Sequence, residues 1–551
     1  MLRRPLHSLL AATLLFASSL AAQTRPTLTP AELRAEHLLQ AAKKQGAPQL
    51  YAFLKPFPKG GELHMHLSGA IYAETFIADA AHDGLCVAPV NPGTPAVPEG
   101  QNALQLVPSA KPPAPGSSSD KPIACASGQV PAADALSRQP LYDALVDSLS
   151  MRAYVPSQGI NGHDQFFVTF DRFRGLRDHS EEWLDEVATR AAAQNEQYLE
   201  IMQTPSFSHA AALGYRLGWP ASVDNENYRT VLADLRQQLL AAGLRDEIAT
   251  DHKQLEDAEA ERHRIEHCGE PQGASPACRI VIRTLFQILR GFPPQQVFAQ
   301  TLLGFEVAQA ALDSGHPDVV GLNFVMPEDG RISMADYHLQ MLMLDFLHSA
   351  YPKVHISLHA GELAPGLVPP AGITFHIREA VELGHAERIG HGVDVLYEDK
   401  PSELLKEMEQ RHVAVEVNLT SNDVILGIKG SDHPLSAYRA AHVPFALSTD
   451  DEGVSRIDLT HEYVRAVTEQ NLTYADLKSS ARSALAHSFL PGESLFAAPD
   501  DYAHRKPACA AVIAAATAPS GPCKALLDSS EKAAQQFELE RRFAAFEASI
   551  H

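Results

Sequence analysis

The sequence predicts an α/β protein built as a TIM-type (β/α)8 barrel, and three features lead there. Short apolar runs alternate with helical stretches over several hundred residues, which implies parallel strand pairing. Eight such runs can be counted, marked by His64, Tyr198, Arg279, Val319, Val354, Ala386, Val413 and Phe445. Polar, chemistry-bearing residues gather where these runs end, as expected of the one barrel rim that carries a site. No Gly-x-Gly-x-x-Gly follows an early strand, so nothing favours the dinucleotide site of an open doubly wound sheet.

The chain has 551 residues, 45% of them apolar and 20% charged, which is the composition of a globular protein. A formal net charge of -22 argues against nucleic acid or an anionic membrane as the main partner, since either would repel such a surface. Solvation of an exported acidic protein explains the charge.

Residues 1–22 read as a signal peptide. Arg3 and Arg4 give the positive flank, Leu9 to Phe16 the apolar segment, and Ala21 and Ala22 a small-residue cleavage site. That segment is too short to span a bilayer, and no later stretch is long and apolar enough to do so. The expected mature chain begins at Ala22 or Gln23 and is secreted or periplasmic. The paired arginines leave a twin-arginine route open. Residues 23–58 form an N-terminal helical segment, in which Thr29 caps a helix with Leu33, Leu38, Leu39 and Ala42 on its apolar face.

The barrel is expected over 59–495. In its first strand His64 and His66 are two apart and project from one face, half of a metal site, with Gly69 at the strand exit. From about 84 to 137 Pro, Ala, Ser and Gly crowd out large apolar residues, which marks an insertion that Cys86 and Cys125 would staple at its base. Leu141 to Arg152 resumes a helical pattern. The aromatics of Phe166 to Phe173 lack a basic context, so they pack a core or wall and do not form a nucleic-acid platform. Residues 496–551 read as a C-terminal extension ending in a helix from Ser529 to Ile550.

Six cysteines allow 15 pairings. Their grouping suggests three local disulfides, Cys86 with Cys125, Cys268 with Cys278 and Cys509 with Cys523, in an oxidising compartment. The absence of any Cys-x-x-Cys speaks against a cysteine zinc site.

The strand exits carry the chemistry. After His64-Met-His66-Leu-Ser68-Gly69 come His359-Ala-Gly-Glu362, Arg388-Ile-Gly-His391-Gly, Thr420-Ser-Asn422 and Ser448-Thr-Asp450-Asp451. In that order these motifs resemble the adenosine deaminase family, over roughly Lys59 to Leu490 apart from the insertion, and the leader resembles that of its secreted, growth-factor-like members. The resemblance implies a barrel holding one Zn2+ per chain on His64, His66, His359 and Asp450. It implies Glu362 as the proton shuttle and His391 as the residue that orients the attacking hydroxide. Asp451 would face the five-membered ring of a purine, and Gly69 would lie in the substrate-side turn. The implied reaction is hydrolytic deamination of adenosine or 2'-deoxyadenosine, with adenine, an adenine nucleotide or an N6-substituted purine as alternatives, and a non-catalytic extracellular binding protein as the rival. No partner beyond a small purine nucleoside is implied, and the oligomeric state is not legible.

Three positions depart from the family pattern. Ser68 stands where many members have a sugar-binding aspartate, Met326 where a glycine amide meets the purine, and Glu452-Gly453 follow the last motif in place of proline. Of the remaining histidines, His355 and His376 are expected to pack or lie at the surface, and His412, His433, His442 and His461 to face solvent.

Overall fold

The structure, a computed structural model, describes residues 28–90, 103–109, 123–154, 162–315, 317–512 and 518–550. Residues 1–22, expected to be a signal peptide, and the expected cleavage site lie outside the described residues. Strands are numbered in chain order: β1 (Gly60–His66), β2 (Cys86–Pro89), β3 (Leu104–Val107), β4 (Val130–Pro131), β5 (Glu196–Gln203), β6 (Val281–Leu289), β7 (Val319–Val325), β8 (His355–Ala360), β9 (Arg388–His391), β10 (Ala414–Val417) and β11 (Phe445–Leu447).

Eight of these pair in the order β1-β5-β6-β7-β8-β9-β10-β11, every neighbour parallel. They are the eight runs marked in the sequence. A parallel bridge between Met65 and Asp450, with the Asp450 N–H donating to the His64 carbonyl at 3.0 Å, joins the last strand exit to the first. Strand order follows chain order without reversal, so the sheet closes as a barrel. Because helices cover its outside and side chains fill its inside, strands such as β5 are buried along their whole length, and the Glu196, Gln197, Glu200 and Gln203 side chains of β5 are buried with its apolar ones.

The helix Pro30–Gln45 starts as expected. The Thr29 side chain accepts the Glu32 N–H, and the Glu32 carboxylate takes the Thr29 N–H in return. Its buried face is Ala35, Leu39 and Ala42, spaced four and three apart, whereas Leu33, assigned to the apolar face from sequence, is 46% exposed.

The insertion has a framework of its own. Strands β3-β2-β4 form a small antiparallel sheet, and a disulfide joins Cys86 to Cys125. Val87 and Leu106 from this sheet share a core with Phe166, Phe173 and Trp183, so the aromatic run, on the helix Gly162–Phe173, packs an interior. The other two disulfides are Cys268–Cys278 and Cys509–Cys523.

The terminal helix Glu531–Ser549 lays Leu539, Phe543 and Phe546 into the barrel's main core, with Phe543 and Phe546 ring centroids 5.6 and 5.7 Å from that of Phe57. Burying such a side chain is worth roughly 1.5–3 kcal/mol, which ties both chain ends to the barrel. Among the described residues no helix is long and apolar enough to cross a membrane.

Candidate active site

The barrel rim at the C-terminal ends of the strands collects four histidines and two aspartates. His64 and His66 come from β1, His359 from β8, His391 from the end of β9, and Asp450 and Asp451 follow β11. His391 at φ 68° and Asp450 at φ 64° are left-handed, a conformation non-glycine residues seldom adopt and one that clusters at functional sites.

One donor atom each from His64, His66, His359 and Asp450 lies within 4.8 Å of all the others. His66 Nε2 is 3.3 Å from His359 Nε2 and 3.3 Å from Asp450 Oδ1, and His64 Nε2 is 3.5 Å from that oxygen. The opposite ring nitrogens fix what these atoms carry. His64 Nδ1 donates to Glu416 Oε2 at 2.6 Å, His359 Nδ1 to Asn323 Oδ1 at 2.8 Å, and His66 Nδ1 to Gln287 Oε1. The Asn323 oxygen also takes the His359 backbone N–H at 3.0 Å, so its amide orientation is settled. With the proton on Nδ1, each ring turns an Nε2 lone pair to one point, beside a carboxylate whose other oxygen accepts Ser421 Oγ–H at 2.7 Å. His64 Nε2 and Asp450 Oδ1 are buried with no protein partner. Three imidazole nitrogens and one carboxylate oxygen, crowded together with His64 Nε2 and Asp450 Oδ1 unsatisfied, fit a divalent cation.

Glu362 and His391 border this set, with His391 Nε2 3.7 Å from Glu362 Oε1. Burial, and then the charges of Asp450 and Glu328, push the Glu362 carboxyl well above the ordinary range, which favours its protonated form. Burial lowers His391 to about 4. Its Nδ1 sits 3.0 Å from Asn422 Oδ1, which leaves Nε2, buried and without partner, as an acceptor.

Asp451 is buried and its Oδ1 is unpartnered; burial and the neighbouring Asp450 raise it to about 8. Its carboxyl rests on Gly69, where an added Cβ would come within 1.5 Å of Asp451 Oδ1, so this glycine makes room for the aspartate. Ser68 is half-buried and lines a cavity beside His66. Met326, at the exit of β7, is 39% exposed with φ 89°, a glycine-like backbone under a methionine side chain.

The supporting residues are the part that motif reading leaves without roles. Glu416 receives His64 and is itself held by Ser357 and by the buried Arg388, whose guanidinium also reaches Glu200 Oε2 at 2.6 Å. A glutamate inside the buried run Ala-Val-Glu-Val of β10 is the signal that could have marked it, since a charge in a fully buried strand requires a partner. His376 is buried, as expected of a packing histidine, stacked on Tyr337 at 3.8 Å and donating from Nδ1 to Glu328 Oε1 at 2.6 Å. His355 pairs with Glu387 at the surface. His433 corrects the expectation: it is 1% exposed, and its Nε2 accepts Asn422 Nδ2 at 2.9 Å, behind His391. His461 is half-buried, whereas His412 and His442 are exposed.

Residues 277–497 match the family model for adenosine deaminase. That segment includes His359, Glu362, His391, Asp450 and Asp451 but not His64 and His66. An adenosine deaminase from Clostridium perfringens is 32% identical over 139 residues, 25% of this chain and 39% of the relative, so the chain spans about two fifths of the length of the curated relatives it matches. Among solved structures, N6-methyl-AMP deaminase from Arabidopsis thaliana aligns at 20% identity with a TM-score of 0.46, covering 80% of this chain and 94% of that one. An adenine deaminase from Arthrobacter aurescens aligns at 14% identity with a TM-score of 0.44, covering 79% and 94%.

Proposed function

We propose, from the match of residues 277–497 to the adenosine deaminase family model and from the geometry of the rim, that the chain is a zinc-dependent hydrolase that deaminates adenosine and 2'-deoxyadenosine to inosine and 2'-deoxyinosine. The observation that carries this reading is the convergence of three imidazoles, each hydrogen-bonded through Nδ1, and the free oxygen of Asp450 beside the buried carboxyl of Glu362. His64, His66, His359 and Asp450 would hold one Zn2+, which supplies the Lewis acidity that makes hydroxide available near neutral pH.

The chain's own residues supply the rest. The bare Nε2 of the neutral His391 accepts a hydrogen bond from the attacking oxygen and aims it at C6. Glu362 gives its proton to the ring nitrogen beside C6, which makes that carbon electrophilic; of the two protons of the attacking water, one leaves on the departing amine and the other returns Glu362 to its protonated state. The oxygen ends on C6, the C6–N6 bond breaks, and ammonia leaves. Asp451, protonated near neutrality, donates to the five-membered ring. Glu328, Asn323, Gln287 and Glu416 keep the reacting groups in register, so the geometry exists before substrate arrives.

Stripping the protein with a chelator and restoring stoichiometric Zn2+ tests the reading. Conversion of adenosine to inosine, followed by the fall in ultraviolet absorbance, is expected to vanish and return with the metal. Conversion that persists unchanged in metal-free protein would reject it.

A further inference from the structure

The two residues that follow Asp451 and depart from the family pattern, Glu452 and Gly453, both serve one contact across the rim. Its centre is Arg190, in the last turn of the helix Ser180–Ala193, with a side chain only 11% exposed. Arg190 Nε donates to Glu452 Oε1 at 2.7 Å, Nη2 to the Ala70 carbonyl at 2.6 Å, and Nη1 to Glu186 Oε1 at 3.1 Å. The guanidinium lies over the Tyr72 ring, 4.6 Å from its centroid. Glu186 in turn takes the Tyr72 N–H at 3.3 Å and the Thr75 hydroxyl at 2.6 Å. A rigid planar fork suits this three-way contact, which the compact ammonium of a lysine does not reproduce.

The fork fastens two turns that touch directly, the one after β1 and the one after β11. The Gly453 and Val454 N–H groups both donate to the Gly69 carbonyl at 3.0 Å, and the Tyr72 hydroxyl donates to the Ile457 carbonyl at 2.7 Å. A Cβ on Gly453 would fall 2.2 Å from the Ile71 carbonyl oxygen, so a glycine is what lets the turns meet. Glu452 is buried, and a carboxylate so placed requires its cation. Asp451 sits among these attachments: it precedes Glu452, its carboxyl rests on Gly69, and its carbonyl takes the Ser455 N–H at 2.9 Å.

Building on the deaminase reading above, we propose that Arg190 and Glu452 are positioning residues for Asp451. Their ion pair fixes the β11 exit turn against the β1 exit turn, and with it the place of the Asp451 carboxyl over the five-membered ring of the purine. Glu452 and Gly453 thus achieve, by an ion pair and a close backbone approach, what a proline after Asp451 achieves by its locked φ.

The test is a double-mutant cycle on the zinc-replete protein, read as kcat/KM for adenosine and as zinc content. It compares wild type, Arg190→Lys, Glu452→Gln and Asp451→Ala with the two combinations Arg190→Lys/Asp451→Ala and Glu452→Gln/Asp451→Ala. Alone, Arg190→Lys and Glu452→Gln are each expected to lower kcat/KM by ~10-fold with zinc content unchanged, as small misplacements near a reacting centre do. Once Asp451→Ala has removed the group being positioned, each is expected to cost less than ~3-fold, because residues acting through one another are not additive. Equal losses with and without the Asp451 carboxyl, or wild-type kcat/KM in both single variants, overturn the proposal and leave the deaminase reading standing. Zinc lost from the single variants assigns the pair to the donor set and overturns it as well. No ammonia from adenosine with wild type overturns the deaminase reading and this proposal together.

Discussion

The Glu328 carboxylate accepts the backbone N–H of Glu362 at 2.7 Å and that of Gly361 at 3.1 Å. The turn that presents the proton shuttle is thus clamped from β7, one strand away. His376 donates to the same carboxylate from behind. Burial works against ionisation of Glu328, but the His376 hydrogen bond and charge, Arg290 and the Glu362 N–H outweigh it and hold the group at about 2.

Glu328→Gln replaces an acceptor of three donors by an amide that can accept at one end only. The Glu362 side chain then loses its register, and kcat is expected to fall ~10- to 100-fold, as small misplacements of reacting groups do, with KM within ~3-fold. Steady-state kinetics on adenosine read the split. A KM effect alone would assign Glu328 to binding.

The same clamp predicts a pH dependence of stability. The folded value lies below the ordinary 4.5, so the contribution is complete above about 4.5 and is lost as pH falls toward about 2. The difference corresponds to roughly 3 kcal/mol. Urea midpoints of wild type and Glu328→Gln are expected to differ most near pH 6 and to converge on acidification; a constant gap would contradict the clamp.

Glu416 orients His64 while Arg388 keeps it ionised against the cost of burial. Glu416→Gln is expected to weaken zinc binding 10- to 100-fold in competition with a chromophoric chelator, as removal of such supporting groups does. Asn323→Ala, acting on His359, is expected to do the same. Unchanged affinity in both would mean that the rings are held by packing alone.

Gly69→Ala places a methyl where the Asp451 carboxyl lies. Asp451 must move, and kcat/KM for adenosine is expected to drop by at least ~10-fold with zinc content unchanged. Retained activity would place Asp451 outside the reaction.

The barrel was legible because strand count and strand-exit polarity are local signals: β1 through its His-x-His, β8 through His359 and Glu362, β11 through the paired aspartates. The six residues named for metal and proton chemistry come from four strands or their exits, and the fold brings all of them to one rim. The supporting carboxylates and amides were not legible, since Glu328, Gln287 and Glu416 acquire meaning only from partners far away in sequence, across neighbouring strands or across the barrel. His433 was misjudged for the same reason. A histidine in a polar loop stretch reads as exposed, but the loop after β10 folds back behind His391 and buries it. Leu33 errs in the opposite direction, because an apolar residue on an amphipathic helix is not obliged to lie on its buried face.

The most direct measurement of the central claim is ammonia release from adenosine by the zinc-loaded protein, compared with Glu362→Gln carrying the same zinc content. Wild type is expected to release ammonia stoichiometrically with inosine, and the variant to turn over at least ~100-fold more slowly, the loss that follows removal of a general acid. A fully zinc-loaded wild type that releases none, or a variant as fast as wild type, would contradict the assignment of this rim as a deaminase site with Glu362 as its proton donor.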